Sequence, residues 1–285
     1  MNQQANVKLA EFSTIIMHDA QFRNLLDHLG YRWAGYRKVR KGVKKRIYRH
    51  MQRLGCRNVA EYIATIDQQK DSRQECELLM TVSISRFFRD RRLWQMLEEQ
   101  WLPDIVAKNP PKIKVWSAGC AGGEEAYSFK IVWERLASHM VSLPQLEILA
   151  TDRNPRYIER ARSGIYSPGS LKELSLHSRA SFFETLKGAK RYAVKERLRS
   201  NISWKVHHLL TDPPGSNYNI IFMRNNILTY YRHDIQKRAL SGILPCLLPD
   251  GLLIIGCHES LPVKTPRLIP MLPFAYVFQI QRRVA

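Results

Sequence analysis

Apolar residues recur through the first eighty positions with the spacing of an α-helix. Between residues 39 and 54, Val39, Val43, Ile47, Met51 and Leu54 follow one another at steps of four, four, four and three, which lines one side of a helix with hydrocarbon. Gly55 suits a helix stop, and residues 59–66 begin another amphipathic helix. The pattern changes after Pro110-Pro111. Residues 112–117 (KIKVWS) read as a strand, 118–123 as a glycine-bearing turn, and 124–138 as a helix with Ala126, Phe129, Ile131, Val132 and Leu136 as apolar positions. Residues 146–151 (LEILAT) read as a second strand closed by Asp152, and 155–163 as a helix. Further on, 219–223 (NIIFM) reads as a buried strand, 235–247 as a helix, and 252–256 (LLIIG) as a strand after a Pro249-Asp250-Gly251 turn. Strands that alternate with helices imply a mostly parallel sheet covered on both faces, the doubly wound α/β class. Residues 180–204 carry YAV and ISW separated by KERLRSN and read as a small antiparallel β insertion. The expected division is a helical domain over 1–80 and an α/β domain over 81–285.

Charge adds a partner to this picture. The 285 residues hold 45 Lys and Arg against 25 Asp and Glu, a net charge of +20. The helix at 39–54 is flanked by Lys38, Arg40, Lys41, Lys44, Lys45, Arg46, Arg49 and Arg53, with no acid between Arg32 and Arg57. Such a run is either a solvated face or a docking surface for an anion, whether an acidic protein segment, nucleic acid or anionic lipid. The start MNQQANVKLAEFS lacks an apolar leader, and no run of about 18 apolar residues occurs, so a cytoplasmic chain without membrane insertion is expected. Five widely spaced cysteines without a CxxC pair suggest neither a disulfide frame nor a zinc ribbon.

In open parallel sheets, ligands sit outside the carboxyl ends of the strands where the strand order reverses, so the residues just after each strand are the candidates. After the first strand comes SAGCAGGEE, in which Gly119, Gly122 and Gly123 allow close approach of the backbone to a ligand. It lacks GxxxxGK[ST], which excludes a nucleotide triphosphate loop, and it is not GxGxxG. The second strand ends in Asp152, an acid able to accept both hydroxyls of a ribose; its bland role is to cap the next helix. Glu124 and Glu125 complement the helix dipole, and an acid there also suits an ammonium group and repels phosphate.

The run VWSAGCAGGEEAYS is similar to the glycine-loop motif of CheR-type methyltransferases, and ILATDRNPRYIERARSGIY resembles the second strand and following helix of that family. SISRFFRD, IIFMRNNILTYY and LLPDGLLIIGCHESLP agree in the same order, and VRKGVKKRIYRHMQRLGCRNVAEYIATI resembles the family's helical domain. The resemblance implies a Rossmann-like methyltransferase sheet that binds S-adenosylmethionine and releases S-adenosylhomocysteine. It implies cofactor contacts from Ser83, Ser85, Arg89, Gly119, Glu125 (less favourably Glu124), Asp152, His208, Leu209, Arg224 and Asn225, with Arg89 and Tyr230 at the reacting groups. Ala126 replaces the usual proline, His208 an expected asparagine and Asn219 a frequent aspartate. One residue inserted before Tyr230 leaves Tyr231 as an alternative and points to a branch distinct from the chemoreceptor enzymes.

For the acceptor, the resemblance implies a protein glutamate carboxylate on an acidic helix docked by residues 38–54, with RNA or a small molecule as the second choice and a non-catalytic adaptor as the third. A carboxylate of pKa about 4.3 is ionised at neutral pH and needs no general base. Arg89 would orient it by its planar fork, and Tyr230 would donate a hydrogen bond. His207 and His208, adjacent on an expected strand, point to opposite faces, so no metal is expected.

Overall fold

The computed structural model describes residues 17–281 apart from 187 and 189. The readings of residues 1–16, both as helical and as leaderless, lie outside the described residues. The chain divides into two compact units between Val82 and Ser83.

The first unit is helical: α1 (Asp19–His28), the single turn α2 (Trp33–Tyr36), α3 (Arg40–Arg53), α4 (Val59–Gln68) and α5 (Lys70–Leu79). In α3 the expected stripe buries Val43, Ile47 and Met51, while Val39 and Leu54 flank the helix and are half-buried. Gly55 stops it in a left-handed conformation at φ +70°, with its N–H bonded to Gln52 O and the Cys56 N–H to Met51 O. These two bonds satisfy carbonyls that the helix end leaves open. Asn58 caps α4 by accepting the Glu61 N–H at 2.9 Å, and Glu61 returns by accepting the Arg57 N–H at 2.8 Å.

The cations of α3 are less isolated than the local sequence implies. Asp19 of α1 pairs with Arg40 and Lys44, Glu75 of α5 pairs with Arg53, and Arg46 donates to the carbonyls of Leu79 and Thr81. Acids absent from α3 itself are supplied by its neighbours. What remains exposed without an ion pair among the described residues is Lys38, Lys41, Lys45 and Arg49, a single cationic stripe at helical spacing.

In the second unit α6 (Arg91–Met96), a π turn (Leu97–Trp101) and α7 (Leu102–Ala107) lead into the sheet. Then follow β1 (Lys112–Ala118), α8 (Glu124–Ala137), β2 (Gln145–Asp152), α9 (Pro155–Ser163), β3 (Ile165–Tyr166), α10 (Leu176–Phe182), β4 (Phe183–Leu186), β5 (Arg191–Val194), β6 (Ile202–Val206), β7 (Tyr218–Met223), α11 (Ile227–Tyr230), α12 (His233–Ile243), β8 (Leu247–Ile255), β9 (Leu268–Met271) and β10 (Phe274–Ile280). The main sheet has the order β6-β2-β1-β7-β8-β10-β9. Its β6, β2, β1, β7 and β8 are parallel, and β10 is antiparallel to both of its neighbours. Successive side chains of β1 enter opposite cores: Val115 packs with the core that includes Phe129 and Val132 of α8, and Trp116 with the one that includes Leu240 and Ile243 of α12. The fold is the expected doubly wound α/β arrangement, and the strand order reverses between β1 and β7.

Four local expectations are corrected. The ISW segment is not part of the insertion: β6 pairs in parallel with β2 at the sheet edge, and the small antiparallel sheet is β3-β5-β4. An isolated apolar triplet does not reveal which sheet it joins. The Pro249-Asp250-Gly251 segment is no turn but an irregularity inside β8, where the register with β7 shifts and Asp250 takes φ +64°. The helix expected to reach residue 247 ends at Ile243 and tightens into a 3-10 turn, because Pro245 has no N–H to continue it. His207 and His208 follow β6 rather than lie within it, so strand alternation does not apply to them.

A Cβ on Gly251 would stand 2.8 Å from the carbonyl oxygen of Leu248 and 3.1 Å from that of Tyr218. Backbone on both sides cannot yield. Gly251→Ala should therefore lower the unfolding free energy by about 1–3 kcal/mol, read from urea denaturation followed by tryptophan fluorescence.

Candidate active site

The carboxyl end of β1 turns back at once onto the end of β2. The N–H groups of Gly119 and Cys120 both donate to Thr151 O at 2.8 Å, and the Ala121 N–H donates to Asp152 Oδ2 at 3.0 Å. Gly119 has φ +88°, and a Cβ there would meet the Asn226 amide at 2.4 Å, so only glycine fits beneath that side chain. From the other side, the Tyr166 hydroxyl donates to Gly122 O at 2.6 Å. The turn is held by backbone and side-chain bonds before any ligand is considered.

The two glutamates that follow have different surroundings. Glu124 is fully buried and accepts from Arg160 at 2.7 Å, which ties α8 to α9. Glu125 accepts from the Ser117 hydroxyl at 2.6 Å and from Arg224 at 3.2 Å. Arg224, at the end of β7 with its side chain 3% exposed, lies between Glu125 and Asp90 and pairs with both. Asp90 is thus engaged by Arg224, and no surface pair with Arg89 is present. Arg89 instead donates to Ile84 O at 3.0 Å and to Asn225 Oδ1 at 3.2 Å. These contacts join the loop at residues 83–90 to the ends of β1 and β7.

Asp152 receives the Asn154 N–H on its second oxygen at 2.9 Å. Burial raises the carboxyl pKa of both Asp152 and Glu125; the backbone donors resist the shift at Asp152, and the Arg224 guanidinium resists it at Glu125. Asn225 adopts φ +55°, and the cap of α11 is its neighbour Asn226, which accepts the Ile227 N–H at 2.6 Å. Tyr230 closes α11, and burial pushes its phenol up despite the charge of Arg89 nearby. The Tyr231 hydroxyl instead accepts from Arg153 at 3.1 Å. Of the two tyrosines, Tyr230 shares its surroundings with Arg89. Ser83 and Ser85 flank the exposed Ile84, and Ser83 Oγ is a buried atom without a partner. His208 accepts the Leu210 N–H on Nδ1 at 3.3 Å, and Leu209 packs against the core beneath α12. Among the described residues, no hydrogen bond joins Ser85 or Leu209 to the Glu125–Arg224–Asp90 group.

Sequence reasoning missed Asp90, Ser117, Asn226 and Glu259. Glu259 accepts the N–H groups of Asn225 at 2.9 Å and Gly256 at 2.7 Å, and the Thr229 hydroxyl at 2.5 Å. It stands just past β8, where the same strand-end rule that found Asp152 would have found it.

A family model described as the CheR methyltransferase SAM-binding domain matches residues 83–277, the unit that holds all of these groups. The chain belongs to the CheR methyltransferase family. It is 30% identical to a chemotaxis protein methyltransferase of Listeria monocytogenes over 82% of this chain and 86% of that protein. It is 34% identical to its counterpart from Listeria innocua over 64% and 67%, and 27% identical to chemotaxis protein methyltransferase 1 of Pseudomonas aeruginosa over 77% and 81%. This CheR chain is an S-adenosylmethionine-dependent methyltransferase. The residues present suit that donor in kind: the half-buried carboxylates of Glu125 and Asp90 share the Arg224 guanidinium, and the Asp152 carboxylate at the end of β2 has no side-chain cation bonded to it among the described residues, an acid set that suits a cation and ribose hydroxyls. When bound, the donor supplies an electrophilic methyl group on a positive sulfur.

The raised carboxyl pKa values carry a sign. Glu125 and Asp152 are easier to bury protonated, so their unfavourable contribution to stability is absent below the ordinary carboxylate range and grows as pH rises through the shifted values. A cation selects the ionised forms. Affinity for S-adenosylmethionine should therefore fall on acidification at a pH above that of an exposed glutamate, about 4.3, with protons released on binding. Calorimetry in buffers of different ionisation enthalpy reads the release; Glu125→Gln should reduce it and weaken binding about tenfold, or about 1.4 kcal/mol.

Proposed function

We propose that this enzyme transfers the methyl group to a glutamate carboxylate on an acidic protein segment. The observation that carries this reading is the grouping of Arg89, Asn225 and Tyr230, a guanidinium bonded at 3.2 Å to Asn225 Oδ1 beside a phenol that burial pushes up, which offers donors to a carboxylate and no general base. A carboxylate is an acceptor that needs no proton removed. Arg89, half-buried and hydrogen-bonded to Asn225, offers guanidinium donors to that carboxylate or to the carboxylate of the donor. Glu125 faces the ammonium of the methionine moiety and Asp152 the ribose, each with a lone pair beyond those the protein uses. Gly119, Ser83, Ser85, Arg224 and Asn225 complete the cofactor contacts, and His208 with Leu209 brackets the adenine. The chain's own residues thus bind and orient, and in-line geometry supplies the acceleration.

The exposed cations Lys38, Lys41, Lys45 and Arg49 fit an acidic helix, and relatives named chemotaxis protein methyltransferases make a signalling protein the natural acceptor. RNA is less well supported, because the large exposed hydrophobic side chains among the described residues are aliphatic and offer no base a stacking surface. No helix among the described residues is long and apolar enough to cross a membrane, and the five cysteines are free thiols, which supports a cytoplasmic setting.

Incubation of source-cell lysate with methyl-labelled S-adenosylmethionine should place base-labile label on protein, and Asp152→Ala should abolish it. Reversing Lys41, Lys45 and Arg49 to glutamate should lower labelling at limiting acceptor about tenfold while leaving S-adenosylhomocysteine affinity within about twofold. Label in nucleic acid, or label on protein that resists base, overturns the reading.

A further inference from the structure

The group of bonds around Glu259 has no part in the chemistry described so far, yet it reaches both residues placed at the reacting groups. Its Oε2 accepts the Gly256 N–H at 2.7 Å and the Asn225 N–H at 2.9 Å, which joins the carboxyl ends of β8 and β7. Its Oε1 accepts the Thr229 hydroxyl at 2.5 Å, within the single turn α11 that ends at Tyr230. Asn225 adopts φ +55°, a left-handed conformation that asparagine tolerates better than most residues and that its bond to Glu259 fixes here. From there Asn225 Oδ1 receives the Arg89 guanidinium at 3.2 Å. Packing is tight: a Cβ on Gly256 would stand 2.8 Å from Glu259 Oε2 and 2.9 Å from Asn225 Oδ1.

We infer that Glu259 is a positioning residue for methyl transfer, which sets Arg89 through Asn225 and Tyr230 through Thr229. Three donors converge on one carboxylate, and charge-assisted bonds of this kind are stronger than neutral ones. Without it, Asn225 loses the bond that holds its backbone in the left-handed region, and the first turn after β7 is free to shift. The effect reaches the site through geometry, since the bonds of Glu259 run to Asn225, Gly256 and Thr229. The inference rests on the reading of Arg89 as a cofactor contact.

Calorimetric titration of the full chain with S-adenosylhomocysteine tests it as a double-mutant cycle. Arg89→Ala and Glu259→Ala should each weaken binding about tenfold, and the double variant should fall clearly short of the roughly hundredfold that independent losses would give, because the share of the Glu259 loss that runs through Arg89 is already gone. Glu259→Gln should stay within about threefold of the parent, since its carbonyl can take both N–H groups and its amide can face Thr229. A purely structural role predicts additive losses. Additivity, parental affinity in Glu259→Ala, or a glutamine as damaging as alanine overturns the inference while the Arg89 reading stands. Parental affinity in Arg89→Ala overturns both. Should Glu259→Ala fail to fold, Glu259→Asp carries the same cycle, because a carboxylate withdrawn by one methylene cannot reach all three donors; parental affinity there overturns the inference.

Discussion

The site depends on one guanidinium. Arg224 is almost completely buried between Glu125 and Asp90, and it brings the helix after β1 and the loop before α6 to the end of β7. Two half-buried carboxylates are tolerable so close together only because a cation divides them, and drawing that cation out of water is costly even so. Such an arrangement adds little net stability and a great deal of geometry. Loss of the arginine would leave two like charges facing each other in a poorly solvated space, which is worse than the loss of an ordinary contact. The neighbouring groups extend this principle: polar atoms at the strand ends are fixed by bonds to one another.

The alternation of strands and helices was legible because each core strand is buried on both faces and reads as an apolar run. Asp152 was legible because it closes such a run, and Glu125 because it opens the helix behind the glycine turn. What was not legible depended on partners distant in the chain. Asp90 looks like the natural partner of Arg89 until β7 delivers Arg224 to it, 134 positions later. Asp19 and Glu75 are invisible as counterions of α3 until the helices pack. The irregularity in β8 shows the same limit: Pro-Asp-Gly ordinarily marks a turn, and here the pairing of β7 and β8 absorbs it as three extra residues in the strand.

Charge is distributed otherwise than the basic helix suggests. Residues 1–82 hold 15 Lys and Arg with 8 Asp and Glu, whereas residues 83–285 hold 30 and 17, so most of the excess lies in the catalytic unit. Within it, residues 153–205 alone carry 13 cations and 4 acids. Several of these cations have structural tasks. Arg199 caps the end of α9 by donating to the carbonyls of Arg162 and Ser163, and Arg197 and Lys195 do the same for the end of α10 at Ser181 and Ala180. A basic isoelectric point is in part the by-product of how helix ends are finished.

The turn after β1 has a consequence for ligand choice that charge alone does not set. Nucleotide-binding loops grip phosphate oxygens with vacant main-chain donors, and here the donors of Gly119, Cys120 and Ala121 already point at Thr151 and Asp152. Converting both glutamates to lysine would reverse the local field without freeing those amides. The preference against phosphorylated nucleotides therefore resides in the path of the backbone, where side-chain redesign cannot reach it.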